Sequence, residues 1–315
     1  MRLIRCLCDF KGTANGLSLA IGNFDGLHKG HQAVIRCMEE KARALNLESA
    51  VMIFEPQPLE FFSKQKQPAR IYSLRDKLLA LEVLGVKYVF CMKFNLAFAS
   101  MSDKEFVLDL LHQKLGVKSV TVGSLFNFGQ GGKYTIEDIK RLGSTVGMEA
   151  SAIEGVTLNH ERISSTKIRE YLKQGQLDLA YEALGRYYSM SGLVVRGNQI
   201  GRTIGFPTAN VNINRKITPL TGVYAVKVLT EYGMYSGMAN VGYRPTVITG
   251  QKNALLEVNI FDFHQDLYAK SIRVFFIHKI RDEVKFENVQ ILEEQLVQDR
   301  LNAQAFFETH VLKDF

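Results

Sequence analysis

The chain has 315 residues, 46% hydrophobic and 23% charged, enough apolar material for two ordinary domains and too much for a disordered protein. Its net charge of +7 fits anionic ligands, but no block of five or more like charges stands out, so charge alone does not point to nucleic acid. No apolar run is long enough to span a bilayer, and Met1 to Gly12 lacks a signal-peptide core, so a soluble cytoplasmic protein is expected. Cys6, Cys8, Cys37 and Cys91 show no zinc-finger spacing and read as buried free thiols of a reducing compartment.

Leu17 to Ile21 reads as a buried strand and Gln32 to Leu45 as a helix. Between them lies Gly22-Asn23-Phe24-Asp25-Gly26-Leu27-His28-Lys29-Gly30-His31. Strand, glycine-rich turn and helix set backbone N–H groups and a helix dipole against a phosphate. Gly22, Gly26 and Gly30 remove side chains where a ligand must come close. His28 and His31, three apart at the helix mouth, can stabilise charge on a polyphosphate. The plainer alternative is a glycine-rich turn with two ordinary surface histidines.

Strand and helix patterns then alternate. Ser49 to Phe54, Tyr88 to Met92, Val117 to Val122 and Met148 to Ile153 read as strands. Leu74 to Leu84, Met101 to Leu115 and Thr135 to Val146 read as helices, the second capped by Ser102 and Glu105. This predicts an α/β unit with a doubly wound parallel sheet, whose ligands bind beyond the carboxyl ends of the strands. Two loops at that edge carry aromatics: Phe54, followed by Gln57, Phe61 and Phe62, and then Phe126 with Phe128. Singly each is ordinary core; together Phe54, Phe62, Phe126 and Phe128 can stack on a flat heteroaromatic ring. Ser164, Ser165 and Thr166 open a further helix with Arg169 one turn on, a grouping suited to pyrophosphate.

A helix from Leu177 to Leu184 closes the first half, and the pattern changes near Gly185. The expected domains are residues 1–185 and 186–315. Short strands at Tyr187 to Val195, Val223 to Leu229, Tyr235 to Val241, Leu255 to Phe261 and Ile272 to Ile277 predict an antiparallel barrel, with helix over Val289 to Leu312. Gly201, Arg202, Gly205 and Pro207 belong to a loop that can wrap ATP phosphates. Thr208 and Asn210 share one side of an extended segment and suit a hard cation such as Mg²⁺. Glu257, an acid in an apolar strand, can accept a hydroxyl proton during phosphoryl transfer, or simply face solvent.

The His-x-Gly-His turn resembles the nucleotidyltransferase superfamily. With the Ser-Ser-Thr-x-x-Arg signature at Ser164 to Arg169, the Gly-Phe-Pro-Thr-Ala-Asn loop at Gly205 to Asn210 and Glu257, the whole chain resembles prokaryotic bifunctional riboflavin kinase/FAD synthetases. Asn240 to Thr246 and Arg281 to Glu283 fit the same kinase module. The resemblance implies riboflavin, FMN and ATP as ligands, with neither nucleic acid nor membrane as partner. The second domain would phosphorylate riboflavin, with Glu257 as base and Thr208 and Asn210 holding Mg²⁺. The first would adenylylate FMN, with His28, His31 and Arg169 stabilising the departing pyrophosphate. ATP would also meet Gly22, Asn23, Phe24, Asp25, Gly26, Gly30, Ser164, Ser165 and Thr166. Two positions depart from the family: Gln57 stands where a His is usual, and Leu125 where Asn or Asp is usual. A riboflavin kinase with a vestigial first domain, and an RNA- or partner-binding protein on a retired scaffold, are the alternative readings.

Overall fold

The computed structural model describes residues 1–63, 67–197, 205–245 and 252–315. They fall into two units, Met1–Pro68 with Lys77–Ser164, and Ala69–Asp76 with Ser165–Phe315.

The first unit alternates strand and helix. It runs β1 (Arg2–Ile4), β2 (Leu17–Ile21), α1 (Lys29–Ala44), β3 (Glu48–Glu55), α2 (Pro58–Phe62), α3 (Leu74–Val83), β4 (Tyr88–Lys93) and α4 (Leu96–Ala99). A π-wound helix at Glu105–Lys114 leads to β5 (Val117–Gly123), and a small hairpin, β6 (Asn127–Phe128) with β7 (Tyr134–Thr135), precedes α5 (Ile136–Ser144) and β8 (Glu149–Ile153). The sheet has the order β1-β4-β3-β2-β5-β8, and every pairing is parallel. Strands covered on both faces read as continuous apolar runs, which is why β2 and β3 are legible: all of β2 is buried. The edge strand β1 is short and carries Arg2, so alternation does not reveal it. The expected cap is present, with the Glu105 N–H donating to Ser102 Oγ at 3.2 Å and the Ser102 N–H to Glu105 Oε2 at 2.8 Å.

The reading of the cysteines needs correction. Cys6 and Cys8 are exposed and joined in a disulfide, because a single 3₁₀ turn at Leu7–Asp9 brings their Cα atoms to 5.3 Å. Cys91 is buried and Cys37 half-buried, and both lie outside this disulfide.

The second unit holds α6 (Ser165–Gln174), α7 (Leu177–Leu184) and a closed barrel. After the short hairpin β9 (Thr157–Leu158) and β10 (Glu161–Arg162) that ends the first unit, the barrel strands are β11 (Ser189–Val195), β12 (Ala209–Asn212), β13 (Gly222–Thr230), β14 (Gly233–Pro245), β15 (Lys252–Ile260) and β16 (Ser271–Arg281). Around the barrel the order is β11-β12-β15-β14-β13-β16, antiparallel throughout. The long α8 (Val289–Thr309) lies against β13, β14 and β16, where Phe206, Ala225, Met238, Phe261 and Ala303 form a core. It is anchored by Asp299, fully buried, which accepts from Arg281 Nη2 at 2.7 Å and Nε at 2.9 Å. The segment Ala69–Asp76 is tied into this unit by three arginines. Arg169 Nε donates to the Ala69 carbonyl at 2.6 Å and Arg186 Nε to the Tyr72 hydroxyl at 2.7 Å. Arg215 Nη1 reaches the carbonyls of Arg70 and Ile71, and its Nη2 pairs with Asp76 at 3.3 Å. Among the described residues no helix is long and apolar enough to cross a membrane.

Candidate active sites

The turn after β2 is built from backbone conformations that side chains rarely adopt. Phe24, Gly26 and Leu27 have φ of 47°, 81° and 45°, and the Leu27 N–H donates to the Phe24 carbonyl. Phe24, Asp25, Leu27 and His28 are nearly fully buried, so packing holds the turn in this shape. His28 is the N-cap of α1, and its Nδ1 accepts the His31 N–H at 3.3 Å. An accepting Nδ1 assigns the proton of the neutral ring to Nε2, making that atom a donor. The two imidazoles stack with centroids 3.6 Å apart and planes 18° apart. Gly30 permits this, since a Cβ there would lie 3.1 Å from the His28 ring, and a Cβ at Gly22 would lie 3.3 Å from the Phe24 ring. Asn23 Oδ1 is buried with no hydrogen-bond partner among the described residues.

At the same carboxyl edge, Phe54, Phe62, Phe126 and Phe128 line one cavity of about 170 Å³. Phe94 and Phe98 complete its wall, and glycines 129, 131 and 132 leave part of it bare. Phe126 and Phe128 lie near-parallel, their planes 19° and their centroids 5.9 Å apart, and present flat faces on which a planar ring can stack. The cavity is apolar and only partly enclosed, with Phe62 exposed at its mouth. Gln57 follows the end of β3; it is 5% exposed, and its Nε2 has no partner among the described residues. Leu125 is 72% exposed.

The Ser164 to Arg169 motif is placed at the start of α6 as expected, with Ser164 just before the first helical residue. Ser165, Thr166 and Arg169 belong to the second unit, whereas His28, His31 and Ser164 belong to the first.

In the barrel, antiparallel register puts Asn210 of β12 beside Glu257 of β15, and Asn240 of β14 on its other side. Residues paired in this way share a sheet face, so an amide–carboxylate–amide row results. The adjacent row, Val211, Leu256 and Val241, is apolar and buried. The Oδ1 atoms of Asn210 and Asn240 are buried without partners among the described residues. Gly197 closes on Asn210 so tightly that a Cβ would overlap the amide. Buried oxygens of this kind, next to a carboxylate, fit a hard divalent cation. Thr208 is exposed and lines, with Pro207, a cavity of about 160 Å³. Gly205 is also described, with φ of 76°; Gly201 and Arg202 lie outside the described residues.

Sequence reasoning missed several of these groups. Phe94 and Phe98 sit after β4 and look like core from sequence alone. Asn240 stood out only within the Asn240 to Thr246 stretch, and its place beside Glu257 is found through strand register. Asn259, whose Nδ2 holds the Pro207 carbonyl at 2.8 Å, and Phe263 and Tyr268 in the second cavity, gave no pattern.

A parallel sheet with a histidine turn and aromatic cavity at one edge, in a chain that also folds an antiparallel barrel with a lone acid between amides, defines a two-site nucleotide-using transferase. The FAD synthetase family model matches residues 11–167, and the riboflavin kinase model residues 184–307. The chain belongs to the bifunctional riboflavin kinase/FMN adenylyltransferase family. It is 42% identical over 310 residues to the member from Haemophilus influenzae, covering 98% of this chain and all of that one. Identity to the Escherichia coli (strain K12) member is 41% over 309 residues, 98% of each. A crystal structure from Streptococcus pneumoniae, described as a macrolide-efflux protein, superposes with a TM-score of 0.81 at 33% identity, covering 96% of this chain and 98% of that one.

Proposed function

We propose that the chain makes FMN from riboflavin and ATP in the barrel, and FAD from FMN and ATP in the α/β unit. The observation that carries the reading is the Asn210–Glu257–Asn240 row, a carboxylate in register with two amides whose oxygens have no partner among the described residues. Glu257 accepts the proton of the ribityl hydroxyl as it attacks the ATP γ-phosphorus. Asn210 and Thr208 hold Mg²⁺, which neutralises phosphate charge when bound. The cavity beside Thr208 takes the adenine, against Phe263 and Tyr268.

In the α/β unit the isoalloxazine enters the phenylalanine cavity and the FMN phosphate attacks the ATP α-phosphorus. His28, as donor at Nε2, and His31 stabilise the pyrophosphate that leaves, and the buried Gln57 amide donates to a phosphate oxygen. The Ser165 to Arg169 helix start is a separate cluster of donors suited to an anion. No protein nucleophile takes part; positioning and charge stabilisation carry the step. The FAD synthetase match over residues 11–167 does not favour a vestigial first unit. A cytoplasmic setting, where ATP is plentiful, suits both reactions.

The test is chromatography of products from riboflavin, ATP and Mg²⁺ with the parent and Glu257→Gln proteins. FMN and FAD are expected from the parent. FAD alone, from supplied FMN, is expected from the variant. FMN formation at the parental rate by Glu257→Gln would remove Glu257 from the mechanism.

A further inference from the structure

Lys77 is a titratable group that none of the chemistry above uses. Its residue is 1% exposed, among the largest fully buried side chains of the protein. Burying an ammonium costs several kcal/mol unless it is compensated. It also lies in the first turn of α3, the wrong end of a helix for a positive charge. Neither core packing nor helix formation therefore accounts for a lysine here. Its Nζ donates to the backbone carbonyl of Asn23 at 2.6 Å. Asn23 is the first residue of the turn whose next members, Phe24, Gly26 and Leu27, have positive φ.

We propose that Lys77 is the positioning residue of the polyphosphate turn, holding the Asn23–Phe24 peptide plane. The proposal rests on the reading of Gly22 to His31 as the ATP cradle. In a trans peptide the carbonyl and the following N–H are antiparallel. Fixing the Asn23 carbonyl on Lys77 therefore fixes the Phe24 N–H on the opposite side of the plane. The grip also sets where the positive-φ sequence begins, and with it the entry of His28 into its cap.

The experiment compares parent, Lys77→Met, Lys77→Arg and His28→Ala proteins, with inorganic pyrophosphate as the probe. FAD formation from FMN and ATP, its inhibition by pyrophosphate, FMN formation from riboflavin, and thermal melting are measured on each. Because a displacement of about 1 Å in a catalytic group costs on the order of a hundredfold, Lys77→Met is expected to lose about that factor in kcat/KM for ATP in FAD formation. Pyrophosphate inhibition should weaken in parallel, FMN formation should hold, and Lys77→Arg should recover most of the loss. Parental ATP and pyrophosphate parameters in a folded Lys77→Met protein, with His28→Ala impaired, would overturn the role of Lys77 alone. Full activity and pyrophosphate affinity in His28→Ala would overturn the cradle reading, and this proposal with it. Loss of both activities with lowered melting in both lysine variants would assign Lys77 to the core and overturn the proposal.

Discussion

Gly30→Ala separates the shape of the histidine pair from the stability of the helix that carries it. Gly30 is the second residue of α1, and an added Cβ would sit 3.1 Å from Cε1 and Nδ1 of His28. Carbon contacts settle at about 3.5–4.0 Å, so the ring must retreat by roughly half an ångström. That retreat disturbs the 3.6 Å stack on His31 and the bond from the His31 N–H. Since about 1 Å of misplacement costs on the order of a hundredfold, half of it should cost about tenfold in FAD formation. The helix responds in the opposite sense, because alanine is favoured over glycine in a helix by roughly 0.5–1 kcal/mol. Expected, then, are unchanged or slightly raised melting, unchanged FMN formation and about tenfold slower FAD formation. The readout is chromatographic, with FMN supplied for one reaction and riboflavin for the other. An unchanged rate of FAD formation would refute the claim that the His28 ring position matters.

Glu257→Gln should lower kcat for riboflavin phosphorylation by roughly 10²–10⁴-fold with riboflavin binding kept, read by initial rates and flavin fluorescence titration. Asp299→Ala leaves Arg281 without its carboxylate, and removing one partner of a buried pair costs about 3–5 kcal/mol. At about 2–4 °C per kcal/mol, calorimetry should show the second unit melting on the order of 10 °C lower. Gln57→His should raise FAD formation, because a charge-assisted bond is about twice as strong as a neutral one. Adding Leu125→Asn, at an exposed site, should bring little more, and a gain confined to Leu125→Asn would refute this order. A fragment of residues 186–315 lacks Asp76 and the carbonyls that satisfy Arg215, a guanidinium 5% exposed, so it should denature at lower urea than the full chain.

Where one rule dominated locally, the sequence could be read. β2 is a run of apolar residues, and α7 begins and ends as its periodicity predicts. The Ser102–Glu105 box and the glycine pattern around His28 are likewise short-range signals. The barrel strands are legible as strands, but Asn240 becomes a neighbour of Glu257 only once register is fixed. The phenylalanine cavity was legible only in part: Phe54, Phe62, Phe126 and Phe128 stood out as loop aromatics, and Phe94 and Phe98 did not. Phe54, the Phe94–Phe98 pair and Phe128 come from three separate stretches, and each has the composition of ordinary core. Lys77 gave no signal, since a lysine in an amphipathic helix reads as solvent-facing until its burial is seen. Cys6 and Cys8 were misread because a tight turn, rather than a compartment rule, decides whether two thiols meet.

The segment Ala69–Asp76 has a consequence for synthesis. Asp76 and Arg215 are 139 residues apart in the chain, and Ile71 and Tyr72 are fully buried in the finished fold. At about 5–20 residues per second, the ribosome delivers Arg215 roughly 7 to 28 s after Asp76. Through that interval the nascent chain carries an apolar stretch whose own unit has not yet been made. The first unit can close around its sheet meanwhile, but this strip must wait, exposed, for the arginines. Ribosome-bound chains arrested before Arg215 should therefore be cleaved by chymotrypsin at Tyr72, and chains released after Phe315 should be protected there.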